Sequence, residues 1–363
     1  LIRRQRQMCI RDRFMKYYVT TPLYYPTAKP HLGTAYTTIA ADILARWYKL
    51  KGYDVFFLTG TDEHGQKLDE AAKKTGKDVK SFVDEQVKEF KKAWKVLNIE
   101  FDGFIRTTDK KHEEAVKKLM KKIYDNNDLY EGEYEGLYCV PCESYWTEKD
   151  LIKGRCPSCN REVKKVKEKA YFFRLSKYQK KLLQLYKKGF ILPDSKRNEI
   201  INRVKEGLKD ISFTRSKFKW GVEFPIDKKY VLWVWADALT NYISGIGWPS
   251  EKFKKYWPAD VHLIGKDILW FHSVIWPAML FSAGIKPPKK VFAHGWWTVE
   301  GEKMSKSKGN VIDPLKLVEK YGIDAFRYFI FRETPFGDDG DFSEKCLVER
   351  YNCLLYTSDA ADE

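Results

Sequence analysis

Apolar positions along this chain switch between two periods, and the order of the switches predicts an architecture. From Met15, "KYYVTTPLYY" is a run of β-branched and aromatic residues that reads as a strand, followed by "HLGT". Ile39, Ile43 and Trp47 then recur every fourth residue through "AYTTIAADILARWYKLKG", which predicts a helix stopped at Gly52. "YDVFFLTG" is a second, apolar strand, so the opening is a βαβ unit of a parallel sheet. Charged helices are expected between Asp78 and Asn127, after which "NNDLYEGEYEGLYCVPCESYW" breaks the period and signals a β-rich insertion. Sheet-like segments return at "KYVLWVWADAL", "DVHLIG" and "KKVFAHGWW", with an amphipathic helix, "DILWFHSVIWPAMLFSAG", between the last two. The expected fold class is α/β: a doubly wound parallel sheet, Rossmann-like, interrupted by a small metal-bearing insertion.

Both ends read as foreign to this pattern. "LIRRQRQMCIRDRF" (1–14) is expected to be a non-native leader, and "CLLYTSDAADE" (353–363), which follows Asn352 without a helical period, a non-native tail. The 363 residues, 44% apolar and 15% aromatic, supply a core for two or three domains. A net charge of +16 favours an anionic partner, nucleic acid or polyphosphate, although a lysine-rich composition gives the same sum without a basic patch. No apolar run reaches the ~18 residues a membrane-spanning helix needs. Seven cysteines, four of them in two Cys-x-x-Cys pairs, suit a reducing cytoplasmic setting and a metal site.

Three short stretches carry candidate chemistry. "HLGT" puts His31, Gly33 and Thr34 at a strand-to-helix junction, where backbone N–H groups favour an anion and His31 can donate to a phosphate oxygen; a capping histidine is the competing reading. "GTDEHG" (60–65) follows the second strand and lies at the same sheet edge, where Asp62 can meet a substrate ammonium or merely cap the next helix. "EGEKMSKSKGN" (300–310) has no helical or strand period, and reads either as a solvated loop or as a hinge carrying Lys303, Lys306 and Lys308 over a polyphosphate.

Together these stretches resemble the methionyl-tRNA synthetases, a group of class I aminoacyl-tRNA synthetases. "HLGT" is similar to the HIGH signature of that class with Thr34 in place of its last His, and "KMSKS" matches the second signature in every residue. "TTPLYY", "FFLTGTDEHGQK", "WADALTNY", "HLIGKDILWFHSVIWPAML" and "HGWWTVEGEKMSKSKGNVIDP" point to the methionine group, and the likeness covers residues 15–352. It implies ATP-dependent activation of L-methionine to methionyl-adenylate, with Mg2+ on the phosphates, and transfer to the 3′ adenosine of tRNA(Met), with neither DNA nor membrane as partner. His31, Gly33, Thr34, Lys303 and Lys306 would be catalytic, and Gly265, Lys266, Asp267 and Ser305 would join them at ATP. Leu23, Tyr25, Asp62, Trp235, Ala238, Tyr242 and His294 would bind methionine. An unbranched thioether suits such an aromatic cavity. Leu239 departs from the proline some members carry there. The implied partition is 15–125 and 226–290 for the two halves of the catalytic domain, 126–225 for a connective insertion, and 291–352 for the lysine loop and a stem-contact region. An anticodon-binding domain is expected to be missing, so tRNA charging should be weak.

"CVPC" (139–142) and "CPSC" (156–159), thirteen residues apart, offer Cys139, Cys142, Cys156 and Cys159 to one structural tetrahedral zinc, with a disulfide as the alternative. In the resembled group such a knuckle sits in the connective insertion. Cys346 reads as packing. His112, in "DKKHEEAVKK", reads as part of a solvated helix face, and His262 as a strand residue. His272 stands near the nucleotide site with packing as its first reading. Trp233 reads as core, and Leu347 as an exposed apolar residue of an incomplete helix. Two rivals remain: a non-catalytic zinc-containing RNA-binding remnant, and another nucleotidyltransferase with a His-x-Gly-x turn.

Overall fold

A computed structural model describes residues 15–359 except 141–143, 147, 158, 217 and 305–308; for Lys303 and 354–359, among others, only the backbone is described. Its centre is a six-stranded sheet in the order β3-β2-β1-β11-β12-β7, every neighbouring pair parallel. The strands are β1 (Lys16–Tyr24), β2 (Asp54–Thr61), β3 (Gly103–Arg106), β7 (Ile191–Leu192), β11 (Val261–Gly265) and β12 (Val291–His294). Consecutive residues feed opposite core layers. Tyr18, Phe56, Leu58 and Ile264 pack on one face, while Tyr17, Val19, Val55, Phe57, Val261 and Leu263 pack on the other. Both faces are therefore dry, which is why these strands read as continuous apolar runs. Strand order reverses between β1 and β11, so their carboxyl ends open the crevice in which ligands of doubly wound sheets bind.

The first helix, Leu32–Leu50, turns a different face inward from the one its bulky residues suggest. Leu32, Ala35, Tyr36, Ile39 and Ala45 are buried, whereas Ile43 and Trp47 are 40% and 53% exposed, Trp47 beneath the Lys51 ammonium. Small residues let this helix lie close to the sheet, and periodicity counted on large side chains alone misses them. "KYVLWVWADAL" is likewise not a strand of the central sheet. Only Val231–Leu232 is extended, as β10, pairing with β9 (Thr214–Arg215), and Val234–Ala238 is helical. The charged region holds the helices Val79–Val96 and Lys110–Asp125, with the edge strand β3 between them.

The cysteine-bearing segment forms an antiparallel sheet in the order β5-β4-β6-β8, from β4 (Leu129–Cys139), β5 (Ser144–Trp146), β6 (Lys164–Phe173) and β8 (Ile211–Ser212). Between β6 and β8 the chain returns to the central sheet as β7, so the span 126–225 contributes a strand to the sheet it interrupts. At the carboxyl side, β13 (Trp297–Val299), β14 (Glu302–Lys303) and β15 (Gly340–Phe342) form a small sheet, followed by the helix Glu344–Asp359. That helix runs on through Asn352 despite the lost period, and Leu347 is fully buried with Phe326, Phe329 and Ile330 rather than exposed. Each such burial contributes ~1.5–3 kcal/mol. Among the described residues, no helix is long and apolar enough to cross a membrane.

Candidate active site at the carboxyl edge of the sheet

β1 ends at Tyr24 and the chain turns into the helix Leu32–Leu50, which His31 caps. His31 Nδ1 accepts from Gly33 N at 3.1 Å, and the Thr34 hydroxyl accepts from His31 N at 2.9 Å, a reciprocal capping box. Thr34 thus has a structural task at the position where the signature has a histidine. Because Nδ1 is an acceptor, the proton of the neutral ring lies on Nε2. Leu32 N donates to Ile312 O at 3.1 Å, so two of the helix's leading N–H groups are already engaged, by Ile312 and by His31. These two N–H groups are therefore not bare donors in this structure. The same bond fastens the segment after the lysine loop to the start of this helix. The loop begins as a hairpin, with Glu300 and Gly301 at positive φ between β13 and β14, so Lys303 stands on a paired strand rather than in aperiodic loop. Ser305, Lys306 and Lys308 lie outside the described residues, as does Cys142.

At the end of β2, Asp62 is buried, and His64 N lies 3.5 Å from its Oδ1. It does not cap the helix Gln66–Lys74, whose N-cap is Gly65, which removes the capping alternative. The neighbouring carboxylate of Glu63 is fully buried and saturated: Thr61, Thr108 and both arms of Arg106 donate to it at 2.6–2.8 Å. From the exit of the insertion, Trp220 Nε1 donates to Glu63 O at 2.5 Å, and Gly65 N donates to Trp220 O at 3.0 Å.

Sequence reasoning missed the group behind this turn. Asp237, 1% exposed, lies between two imidazoles, with His64 Nδ1 2.7 Å from Oδ2 and His112 Nε2 2.8 Å from Oδ1. His112 Nδ1 is 2.7 Å from the Ser244 hydroxyl. The solvated reading of His112 is thereby overturned: the helix Lys110–Asp125 keeps its lysines in water and turns this one polar residue inward. Burial opposes a charge on His64, but Asp237, with Glu113 and Glu63, outweighs it and holds its pKa above the ordinary value. Burial likewise penalises the Asp237 carboxylate, yet His64 and His112 bring its pKa down to about 2.

Aromatic residues build the cluster that adjoins it. Trp235 stacks on Phe271 with centroids 3.7 Å apart, and Tyr242, fully buried, stacks on His262 at 4.0 Å. His272 Nδ1 donates to Ile268 O, so Nε2 accepts from the Tyr242 hydroxyl at 2.6 Å. Burial pushes the His272 pKa down to about 4, which keeps this ring neutral. Leu23 and Tyr25 pack against the same core half-buried, the Tyr25 hydroxyl donating to His64 O, and Ala238 is buried. His294 is not in this group. It ends β12 beside Gly265, donates from Nδ1 to Gly295 O at 2.7 Å and accepts from the Thr37 hydroxyl at 2.6 Å, so the imidazole that joins Trp235 and Tyr242 is His272. Trp233 is core, as expected.

Beyond His294, Gly265 admits the Asp267 carboxylate so closely that a Cβ there would stand 2.6 Å from its oxygen. Trp296 Nε1 donates to that carboxylate at 3.2 Å. Lys266 is paired with Asp339 and lies over the Trp296 ring, 4.3 Å from its centroid. Asp339 belongs to a loop that closes in only because residue 295 is glycine, since a Cβ there would be 2.2 Å from Asp338 O. In the insertion, the thiol sulfurs of Cys139, Cys156 and Cys159 lie within 4.8 Å of one another, those of Cys139 and Cys159 3.5 Å apart. Asn160, at positive φ, donates to Cys156 O to close the turn. Three converging thiols, two of them buried, are a soft donor set that could hold a metal.

Comparison with known proteins agrees with this geometry. The family model described as tRNA synthetases class I (M) matches residues 17–167 and 161–358. Methionine--tRNA ligases of Caldanaerobacter subterraneus subsp. tengcongensis and Thermotoga maritima are each 56% identical, over 93% and 94% of this chain and 54% and 56% of theirs. The crystal structure of Mycobacterium tuberculosis methionyl-tRNA synthetase bound by methionyl-adenylate superimposes with a TM-score of 0.90 at 47% identity, covering 93% of this chain and 68% of that one. The chain spans about half the length of the curated relatives it matches.

Proposed function

This chain belongs to the class I tRNA synthetases (M), and from that premise we propose that it joins L-methionine to ATP as methionyl-adenylate and passes the methionyl group to the 3′ adenosine of tRNA(Met). The observation that carries the reading is the convergence at one sheet edge of His31, Asp62 and Gly265 with the Trp235–Tyr242 pocket. Asp62 would take the amino acid's ammonium, and the neutral cavity of Leu23, Tyr25, Trp235, Ala238, Tyr242 and His272 its thioether. A methionine carboxylate oxygen then attacks the α-phosphorus, and the bond to pyrophosphate breaks. His31 Nε2–H donates to the oxygen on which charge grows, while Lys303 and Lys306 draw off the leaving phosphates. Gly33, Gly265, Lys266, Asp267 and Ser305 would line the nucleotide, with Lys266 first leaving Asp339. His294 is reassigned to this side. Magnesium, when bound, would neutralise the phosphates.

The three convergent thiols fit zinc, with Cys142 as the fourth ligand, holding residues 126–225 as a connective insertion. Paired Cys-x-x-Cys turns of this kind favour a cytoplasmic setting. We read 291–352 as the lysine loop and stem-contact region. The test is methionine-dependent exchange of labelled pyrophosphate into ATP. Exchange with methionine, and far less with leucine or isoleucine, is expected; none with any amino acid would leave the RNA-binding reading. Cys156→Ser should release about one equivalent of zinc, and protein purified without chelator that holds none would overturn the metal assignment.

A further inference from the structure

The buried carboxylate of Asp237 bonds His64 and His112, neither of them proposed to meet substrate, yet it joins the elements that carry the residues that are. Its own helix, Val234–Ala238, presents Trp235 and Ala238. Through His64 it holds the turn that follows Asp62, and through His112 and Ser244 it reaches Asn241–Ser244, the helix of Tyr242. We propose that Asp237, gripped by His64 and His112, is a positioning residue for the amino-acid site, fixing the ammonium-binding turn and the side-chain pocket in one register. This rests on the reading of Asp62 and that pocket as the methionine site.

The chemistry of the grip is directional. An ionised carboxylate only accepts, so His64 Nδ1–H and His112 Nε2–H both donate, and Ser244 then donates to His112 Nδ1 when that ring is neutral. The groups facing His64 are Asp237 from the pocket helix, Glu113 from the helix Lys110–Asp125 at 3.9 Å, Glu63, itself held by Arg106, and the Trp220 ring. All the charged neighbours but Arg106 are anionic, and Asp237 is the one in hydrogen-bond contact. Removing its charge should release the turn without emptying the core, because His112 can reverse its tautomer and still bond an asparagine at 237.

Two measurements test this. In pyrophosphate exchange, Asp237→Asn should raise KM for methionine about tenfold or more, the loss expected for one charged hydrogen bond, while KM for ATP stays within about twofold. His112→Ala should act in the same direction, and His112→Gln, whose amide nitrogen reaches the position of Nε2, should restore methionine KM to within about twofold of the parent. In the second measurement, the His64 imidazole followed by NMR in the intact chain should titrate above its ordinary pKa, and Asp237→Asn should move that midpoint down. An unchanged methionine KM, a parallel rise in both KM values, or a His64 midpoint indifferent to Asp237 overturns the proposal. A parent chain without methionine-dependent exchange overturns the reading beneath it instead, while the NMR comparison still reports on the grip.

Discussion

Two sides of the same crevice are built on opposite principles. On the side proposed for the amino acid, Asp62, His64, Asp237, Tyr242 and His272 are all buried, and the polar groups behind the surface are bonded to one another at 2.6–2.8 Å. On the side proposed for the nucleotide, His31 and Gly265 are half-buried, Lys266 is tied to an exposed aspartate, and Lys303 stands on a two-residue strand. The first arrangement suits a ligand recognised by shape and one charge, for which looseness costs selectivity. The second suits a polyphosphate that must enter, lose its terminal part and leave, met by groups such as Lys266 that hold exchangeable partners.

That contrast can be broken in order of expected effect. Asp62→Ala should reduce kcat/KM for methionine by about 2–5 kcal/mol, through KM chiefly, since it removes the one carboxylate proposed for the ammonium. A loss confined to kcat would mean that Asp62 faces the reacting phosphate. His31→Asn should lower the exchange rate about 10²–10³-fold with methionine KM nearly constant, because asparagine preserves a capping oxygen but removes the Nε2 donor. A fall in melting temperature without that rate loss would return His31 to a mere cap.

Acid should divide the buried imidazoles instead, cutting across the two sides. Burial holds His262, His272 and His294 neutral, and for His272 the folded pKa is about 4 against 6.5 unfolded. Between those values the unfolded chain binds a proton the folded chain refuses, so stability falls as pH drops from 6.5 toward 4, by ~3 kcal/mol from His272. His64 runs the other way: its raised pKa contributes stability that is complete below 6.5 and is lost as pH rises through the folded value. Urea unfolding from pH 4 to pH 8 should therefore show an acid limb that His272→Asn flattens. A limb unaltered in that variant would assign it to other groups. The smallest effect belongs to the exposed side, where Asp339→Asn should change unfolding free energy by less than about 1 kcal/mol. A larger loss would make the Lys266 pair structural.

What the sequence could reveal follows from range. Strands β1, β2 and β11 were legible because burial on both faces leaves an apolar run that needs no partner to be recognised. The convergence of Cys139, Cys156 and Cys159 was legible because Cys-x-x-Cys turns set the spacing of their thiols locally. The Asp237 cluster was not, since its partners lie 173 and 125 residues away in the chain and His112 sits among lysines that disguise its face. The placing of His272 rather than His294 beside Tyr242 was hidden for the same reason. One stands in the helical segment after β11 and the other at the end of β12, and only the fold shows which of them bonds Tyr242.

Trp220, at the exit of the cysteine-bearing insertion, grips both Glu63 and Gly65 around the His64 turn. Two equilibria therefore share one joint: ordering of the turn by an amino acid, and ordering of the insertion by its own fold. Thermodynamic reciprocity requires that whatever free energy one lends the other is returned in equal measure. Methionine should slow backbone hydrogen exchange in residues 212–224, which none of the proposed contacts includes. Loosening that stretch, as with Trp220→Phe, should weaken methionine and shrink the protection that methionine confers.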